Sequence, residues 1–227
     1  MNISATLFVS PSPGRTGFAG GSAPAEATPS VFVIDEDVAV RGALETLGAE
    51  AGWEIETFSC AEDFLGRPRG SVPSCLLLDV GLADAKALEM QRQLADRPEL
   101  PIIFLSRVAD VRTVVTAMKA GAIEFLSKPL ARGLLCGAIR HALECSKARL
   151  ALHAALDVLR VRHASLSRRE REVMAMVIRG RLNKQVAADL GISEITVKAH
   201  RGKMMRKMAA RTVPDLVNMA AKLFPAA

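Results

Sequence analysis

Short apolar runs that alternate with helical patterns constrain the fold of residues 31–130 more than any other feature of the sequence. The runs VFVID (31–35), SCLLLDV (74–80) and IIFLS (102–106) are apolar almost throughout, as buried parallel strands are. Two further strand-like segments, 54–58 and 122–126, complete five β/α repeats. Such repeats predict an α/β fold with a doubly wound, five-stranded parallel sheet.

The helical segments follow from apolar spacing and from the positions of glycine and proline. Between the predicted strands we expect helices over 39–51, 61–65, 88–95 and 111–120. A further helix begins near Arg132, and neither glycine nor proline occurs between Ala138 and Arg179. This predicts one long helix that continues beyond the α/β part, with a break near Ala164.

The last 60 or so residues have a purely helical pattern, predicted as 168–179, 183–190, 194–208 and 213–223. Ser167 and Glu170 fit a capping box, and Ser193 fits the N-cap of the third of these helices. The second and third helices, joined at Gly191, form a helix-turn-helix pattern. We expect their shared core to contain Val186, Ala187, Leu190, Ile192, Ile195 and Val197.

Charge is divided unevenly along the chain, whose formal net charge is +6. Residues 31–130 hold 10 basic and 16 acidic side chains, whereas residues 165–227 hold 13 and 5. A basic end after an acidic body suggests contact with nucleic acid, although a solvated basic helix face would have the same composition. The absence of Tyr and the single Trp argue against a base-stacking, single-strand binder.

Other features of composition exclude several classes of protein. Half of the residues are hydrophobic, which excludes a disordered chain, and no run of about 18 apolar residues predicts a membrane-spanning helix. Residues 10–30 are rich in Pro, Gly, Ser and Ala, and we interpret 1–30 as a flexible leader without an export signal. The four cysteines lack metal or CxxC spacing, as expected of reduced thiols in a cytoplasmic protein.

Polar side chains stand at the ends of four predicted strands. Asp35, Glu36 and Asp37 close the first strand, Asp79 ends the third, Ser106 ends the fourth and Lys128 follows the fifth. In a parallel sheet these ends meet at one edge. Grouped carboxylates suit Mg²⁺, and a lysine and a hydroxyl nearby suit an incoming phosphoryl group. Each acid alone could be an ordinary strand-end residue, but four matching ends make that reading improbable.

The motifs IDED (34–37), LLLDV (76–80), FLS (104–106) and MKAGAIEFLSKPL (118–130) resemble those of bacterial response-regulator receiver domains. The resemblance implies that Asp79 is the phosphoacceptor. It implies a Mg²⁺ site made of Asp35, Glu36, Asp79 and the backbone carbonyl of Gly81. It also implies three switch and phosphate-contact residues, namely Ser106, Phe125 and Lys128.

Some positions depart from the receiver pattern. Ala83 and Ala87 replace a usual proline and glycine, Glu36 replaces a commoner aspartate, and a bulky Arg107 follows the switch hydroxyl. These departures leave an alternative open. The receiver could work without phosphorylation, as a dimerisation or partner-docking module of a DNA-binding regulator.

The motifs LSRRE (166–170), LGIS (190–193) and TVKAHRGKMMRKM (196–208) resemble the LuxR-type helix-turn-helix of the NarL/FixJ family. The helix that contains Lys198 would enter the major groove, and its later cations Lys203, Arg206 and Lys207 would contact phosphates. Glu170 would belong to the domain core. The resemblance implies the following DNA-contact residues: Lys184, Thr196, Lys198, Ala199, His200, Arg201 and Lys203.

Together the two resemblances imply a two-component response regulator with four segments. These are the leader (1–30), a receiver (31–145), a helical linker (146–163) and a helix-turn-helix domain (164–227). A sensor histidine kinase would phosphorylate Asp79 with Mg²⁺ bound, favouring a homodimer on a palindromic promoter operator in double-stranded DNA. RNA polymerase is a further expected partner, whereas no membrane partner is expected. We expect no enzymatic activity beyond the chain's own phosphoryl transfer and dephosphorylation.

Overall fold

The computed structural model describes residues 28–68, 70–80, 84–108 and 110–225 of the 227-residue chain. The predicted leader lies almost entirely outside these residues. None of the helices in the described ranges is both long and apolar enough to cross a membrane.

The first part of the chain is a parallel sheet with helices on both faces. Its strands are β1 (Ser30–Ile34), β2 (Glu54–Phe58), β3 (Ser74–Asp79), β4 (Ile102–Ser106) and β5 (Glu124–Ser127). Every pairing is parallel and the strand order is β2-β1-β3-β4-β5, which confirms the predicted fold class. The order reverses between β1 and β3, and ligand sites of such sheets lie at the carboxyl ends of the strands beside that reversal.

The alternating side chains of the central strands supply two cores, one on each face of the sheet. Val33, Leu77 and Ile103 point toward α1 (Val38–Ala51) and α5 (Arg132–Ala164). Their neighbours in sequence form the opposite core, and three helices cover it: α2 (Ala61–Leu65), α3 (Asp84–Gln93) and α4 (Val111–Lys119). Burial on both faces explains why these strands are continuously apolar.

Two elements of this part begin at other residues than predicted, by two residues or more. Helix α3 begins at Asp84, four residues before the predicted start, because 84–87 contain no helix breaker and an acidic residue is favourable in the first turn. Strand β5 begins at Glu124, since Ala122 belongs to the turn after α4. There Gly121 has φ of 95° and the Ala122 N–H donates to the carbonyl of Ala117.

Helix α5 is 33 residues long and joins the two folded parts of the chain. Its first turns pack on the sheet through Leu135 and Ile139, Leu159 near its end is buried, and the helix also contacts helices of the C-terminal part. The His163 ring packs edge-on against Phe224, with the ring centroids 5.3 Å apart. The predicted long helix with an end at Ala164 is therefore confirmed.

Four helices form the C-terminal part, namely α6 (Arg168–Val177), α7 (Asn183–Leu190), α8 (Glu194–Met208) and α9 (Val213–Leu223). Val186, Val197 and Met204 are fully buried in their common core. Gly191, with φ of 64°, makes the turn between α7 and α8. The expected core position of Ile195 was wrong: this side chain is 80% exposed, because it lies two residues from buried Val197 and so on nearly the opposite face of α8.

Candidate phosphoacceptor site and DNA interface

A lysine links two carboxylates where the strands end. Lys128 Nζ lies 2.7 Å from Asp35 Oδ2 and 3.0 Å from Asp79 Oδ1. Asp35 is 1% exposed to solvent, whereas the Asp79 side chain is 18% exposed. The backbone N–H of Lys128 donates to the carbonyl of Ser106, which fixes the start of the lysine side chain beside β4. The predicted meeting of the strand ends is therefore present.

The electrostatic balance of this cluster is negative, because two carboxylates face one ammonium group. Burial raises the pKa of the Asp79 carboxyl, the hydrogen bond from Lys128 lowers it, and the charge of Asp35 raises it, so that the net shift is upward. Burial also depresses the pKa of Lys128, but hydrogen bonds to both carboxylates more than offset this and hold the ammonium protonated. The remaining negative charge would favour a bound cation.

The predicted Mg²⁺ ligands are only partly assembled. Asp35 and Asp79 share Lys128, whereas Glu36 is exposed, and Gly81 lies outside the described residues. Within the described ranges, no three His, Cys, Asp or Glu side chains group closely enough to form a ready-made metal site. Two carboxylates with surplus negative charge nevertheless fit Mg²⁺, which keeps several waters and needs few protein ligands.

An open cavity of about 770 Å³ leads to Asp79. Its walls include Asp35 and Glu36 after β1, Cys60 before α2, and Met90 of α3. A phosphodonor can therefore approach the Asp79 carboxylate from solvent, while Asp35 remains buried behind it.

The residues after β4 are engaged in contacts of their own. The Ser106 hydroxyl donates to the carbonyl of Val108 (2.7 Å) and accepts from its N–H (3.2 Å). Phe125 is half-buried and stacks on Phe104, with ring centroids 6.1 Å apart. In this state the predicted switch hydroxyl is thus bound within its own loop.

Two contacts of this site were not predicted from the sequence. Asp37 pairs with Arg107 across the end of the sheet, and Arg41 donates to the backbone carbonyl of Asp35. Asp37 also caps α1, since its side chain accepts from the N–H of Ala39. An acid just before a predicted helix was the signal that could have identified this capping role of Asp37.

The second site is the outer surface of the helix-turn-helix. Among the predicted DNA-contact residues, Lys184, Lys198, Ala199 and Lys203 are exposed, whereas Thr196, His200 and Arg201 are half-buried. The Thr196 and Ser193 hydroxyls lie 2.8 Å apart at the start of α8. Arg201 Nη1 donates to Asn183 Oδ1 at 2.9 Å and thereby ties α8 to the start of α7.

Lys207 does not take the place predicted for it. Its Nζ donates to Glu170 Oε2 at 2.7 Å and to the carbonyl of Ser165 at 3.0 Å, instead of pointing toward a phosphate. The Lys207 hydrogen bond is the main reason that the pKa of Glu170 is lowered. Glu170, 3% exposed, also completes the capping box with Ser167, so its expected place in the domain core is confirmed.

The two parts of the chain each match a known protein family. Residues 31–140 match the family described as response regulator receiver domain, and residues 164–220 match the bacterial regulatory proteins of the luxR family. The chain is a response regulator of the LuxR type. It regulates transcription by binding DNA, and phosphorylation controls this activity.

Relatives of this response regulator match over most of its length. The response regulator protein TodT of Pseudomonas putida is 41% identical over 194 residues, which cover 85% of this chain and 86% of TodT. The transcriptional regulatory protein FixJ of Rhizobium meliloti is 35% identical over 192 residues, 84% of this chain and 94% of FixJ. The structure of the response regulator StyR superposes with a TM-score of 0.75 at 42% identity, and covers 86% of this chain and 100% of StyR.

Proposed function

We propose that Asp79 accepts the phosphoryl group and that Asp35, Glu36, Asp79 and the Gly81 carbonyl hold Mg²⁺ during this transfer. The observation that carries the proposal is the unequal exposure of two carboxylates that share Lys128. Both carboxylates line the cavity, but only the Asp79 side chain is exposed to solvent to a useful degree and can act as a nucleophile.

The chemistry assigned to the protein's own residues is a displacement at phosphorus. An Asp79 oxygen attacks the phosphohistidine of a sensor kinase, the bond from phosphorus to the imidazole nitrogen breaks, and an aspartyl phosphate remains. Lys128 supplies positive charge beside the transferred group. Bound Mg²⁺ would neutralise the phosphoryl oxygens and reduce their repulsion from the carboxylate. We assign the chain no other catalytic activity.

The signal would then pass from β4 and β5 to the rest of the molecule. Ser106 would leave its contact with Val108 for the phosphoryl group, and Phe125 would change its rotamer beside it. The face of α4 that follows carries exposed Val111, Val115 and Met118, a surface suited to pairing two receivers. We therefore propose a phosphorylated homodimer, acting in the cytoplasm, whose α8 helices bind two half-sites and which contacts RNA polymerase.

Acetyl phosphate tests the assignment of Asp79 directly. Incubation with Mg²⁺ should add the mass of one phosphoryl group to the wild-type chain, and Asp79→Asn should abolish this gain. Asp157→Asn is the matched control, because Asp157 is an exposed aspartate in α5, outside the site. Unchanged labelling of the Asp79 variant would refute the assignment. An unlabelled wild-type chain would instead favour a receiver that acts only in docking or dimerisation.

A further inference from the structure

An ion pair spans the carboxyl end of the strand that carries Asp79. Arg107 follows β4 and Asp37 follows β1, and β3 lies between these two strands in the sheet. Arg107 Nη2 lies 2.8 Å from Asp37 Oδ2. The pair therefore connects the loops on either side of Asp79 and passes over the end of β3.

The two members of this pair differ in freedom. Asp37 is held on both sides, since its side chain accepts from Ala39 N–H at 2.9 Å and its own N–H donates to Asp35 Oδ1 at 2.9 Å. The Arg107 side chain is long and 70% exposed, and an exposed ion pair is weak. If the contact breaks, Arg107 is the member that moves.

A phosphoryl group on Asp79 would be a better partner for this guanidinium than a single carboxylate. Guanidinium groups bind phosphate oxygens through two parallel hydrogen bonds, and an aspartyl phosphate carries more negative charge than Asp37. The charge of Arg107 already acts on Asp79, where it is one of the influences that oppose the upward pKa shift caused by burial.

We propose that Arg107 is a phosphate-binding residue of this receiver, which pairs with Asp37 while Asp79 is free and transfers to the phosphoryl group during loading. The proposal rests on the proposed role of Asp79 as phosphoacceptor. Because Arg107 is adjacent to Ser106 in the chain, its transfer also draws the switch hydroxyl toward the phosphate. Asp37 thus competes with the phosphoryl group for one cation.

Loading from acetyl phosphate is the reaction that tests the competition. An Asp79 oxygen attacks phosphorus, the bond from phosphorus to the acetyl oxygen breaks, and acetate leaves with the electron pair. The phosphorylated fraction of the full-length chain is followed over time in Mg²⁺ on a phosphate-affinity gel. Four variants are compared with the wild type: Arg107→Ala, Arg107→Lys, Asp37→Asn, and the double variant Asp37→Asn with Arg107→Ala.

Arg107→Ala should load about tenfold more slowly, because a charge that stabilises the transferring group is lost. Arg107→Lys should fall between this variant and the wild type, since it keeps the charge but not the paired hydrogen bonds. Asp37→Asn should load about threefold faster, because asparagine still caps α1 but releases Arg107. The double variant should load like Arg107→Ala alone. Arg112→Ala, which removes an exposed arginine of α4, should load like the wild type.

A second measurement avoids phosphoryl transfer altogether. Beryllofluoride with Mg²⁺ mimics the phosphoryl group, and its dissociation constant, measured by calorimetry, should rise about tenfold in Arg107→Ala. Wild-type affinity and wild-type loading in Arg107→Ala would overturn the inference while the role of Asp79 stands. Faster loading of the double variant than of Arg107→Ala would also overturn the inference, because Asp37 would then act without Arg107. Failure of the wild-type chain to load would instead overturn the role of Asp79 itself.

Discussion

The two domains place their charged groups in opposite ways. In the receiver, Asp35, Asp79 and Lys128 are drawn together at the sheet edge and largely removed from water. In the helix-turn-helix domain, Lys184, Lys198 and Lys203 extend into solvent. Covalent transfer needs charges that are desolvated and fixed in position, whereas binding to the DNA backbone needs cations that can release counterions. The acidic receiver and the basic C-terminal domain therefore use their charged groups for different chemical tasks.

In the C-terminal domain, a buried carboxylate also pairs with a lysine, Lys207, but this lysine is 40% exposed. Glu170 and Lys207 are 2.7 Å apart, and the Glu170 side chain is only 4% exposed. The same distance separates Lys128 from Asp35, but that cluster also contains Asp79, which faces a cavity. In both places a lysine pairs with a buried carboxylate. Such a pair becomes a reactive site only where one carboxylate is accessible.

The largest effect is expected for Lys128→Ala. Loss of the ammonium leaves two close carboxylates without their shared cation, which should lower the free energy of unfolding of the receiver by about 3 kcal/mol. Trp53, the only tryptophan, packs against the receiver core, so its fluorescence during urea unfolding reports this domain. Because Mg²⁺ can replace the lost charge, it should stabilise this variant more than the wild type. Equal stabilisation of both would contradict the proposed metal site, and Lys119→Ala in α4 is the control.

Glu170→Gln should destabilise the C-terminal domain by about 1.5 kcal/mol at pH 7, the value of a hydrogen bond to a charged group. Glutamine can keep the capping box, but it is neutral and cannot form an ion pair with Lys207. Since the pKa of Glu170 is lowered in the folded state, its stabilisation is complete above the ordinary value of 4.5 and is lost as the pH falls through the lowered value. The difference in unfolding free energy should therefore shrink in acid. A difference that does not shrink as the pH is lowered from 7 would show that lost packing is the cause.

Sequence patterns predicted the strands at the centre of the sheet and the site they create, because buried strands must be apolar and must end at one edge. The start of α3 was harder, since residues 84–87 favour a helix without any apolar periodicity. The Arg107–Asp37 and Lys207–Glu170 pairs join residues that are far apart in the sequence, and the rotamers of long cations are chosen only after folding. Exposure of Ile195 depends on which face of α8 packs on the core, and that face contains Val197.

Arg201→Ala tests whether a half-buried cation of the C-terminal domain contacts DNA or only supports the fold. Binding to a duplex selected from random sequences by the phosphorylated chain should weaken by about 1–3 kcal/mol if Arg201 contacts a base. Asn183→Ala removes the partner of Arg201 but keeps the guanidinium, so it should weaken binding less. Equal losses in the two variants would assign Arg201 a positioning role. Fluorescence anisotropy with a labelled duplex measures both.

The smallest effect in standard buffer, and the sharpest contrast with the receiver, is expected for Lys203→Ala. An exposed lysine that contacts a phosphate contributes through counterion release, so its loss should weaken binding to all duplexes alike. The slope of log K against log salt should become shallower by about 0.9. Lys222→Ala in α9 should leave the slope unchanged. Because screening acts on exposed charges, the affinities of Lys203→Ala and the wild type should converge in high salt, whereas the destabilisation of Lys128→Ala should persist there. The contrast between the domains would fail if high salt removed both the loss of DNA affinity in Lys203→Ala and the loss of stability in Lys128→Ala. It would also fail if high salt removed neither.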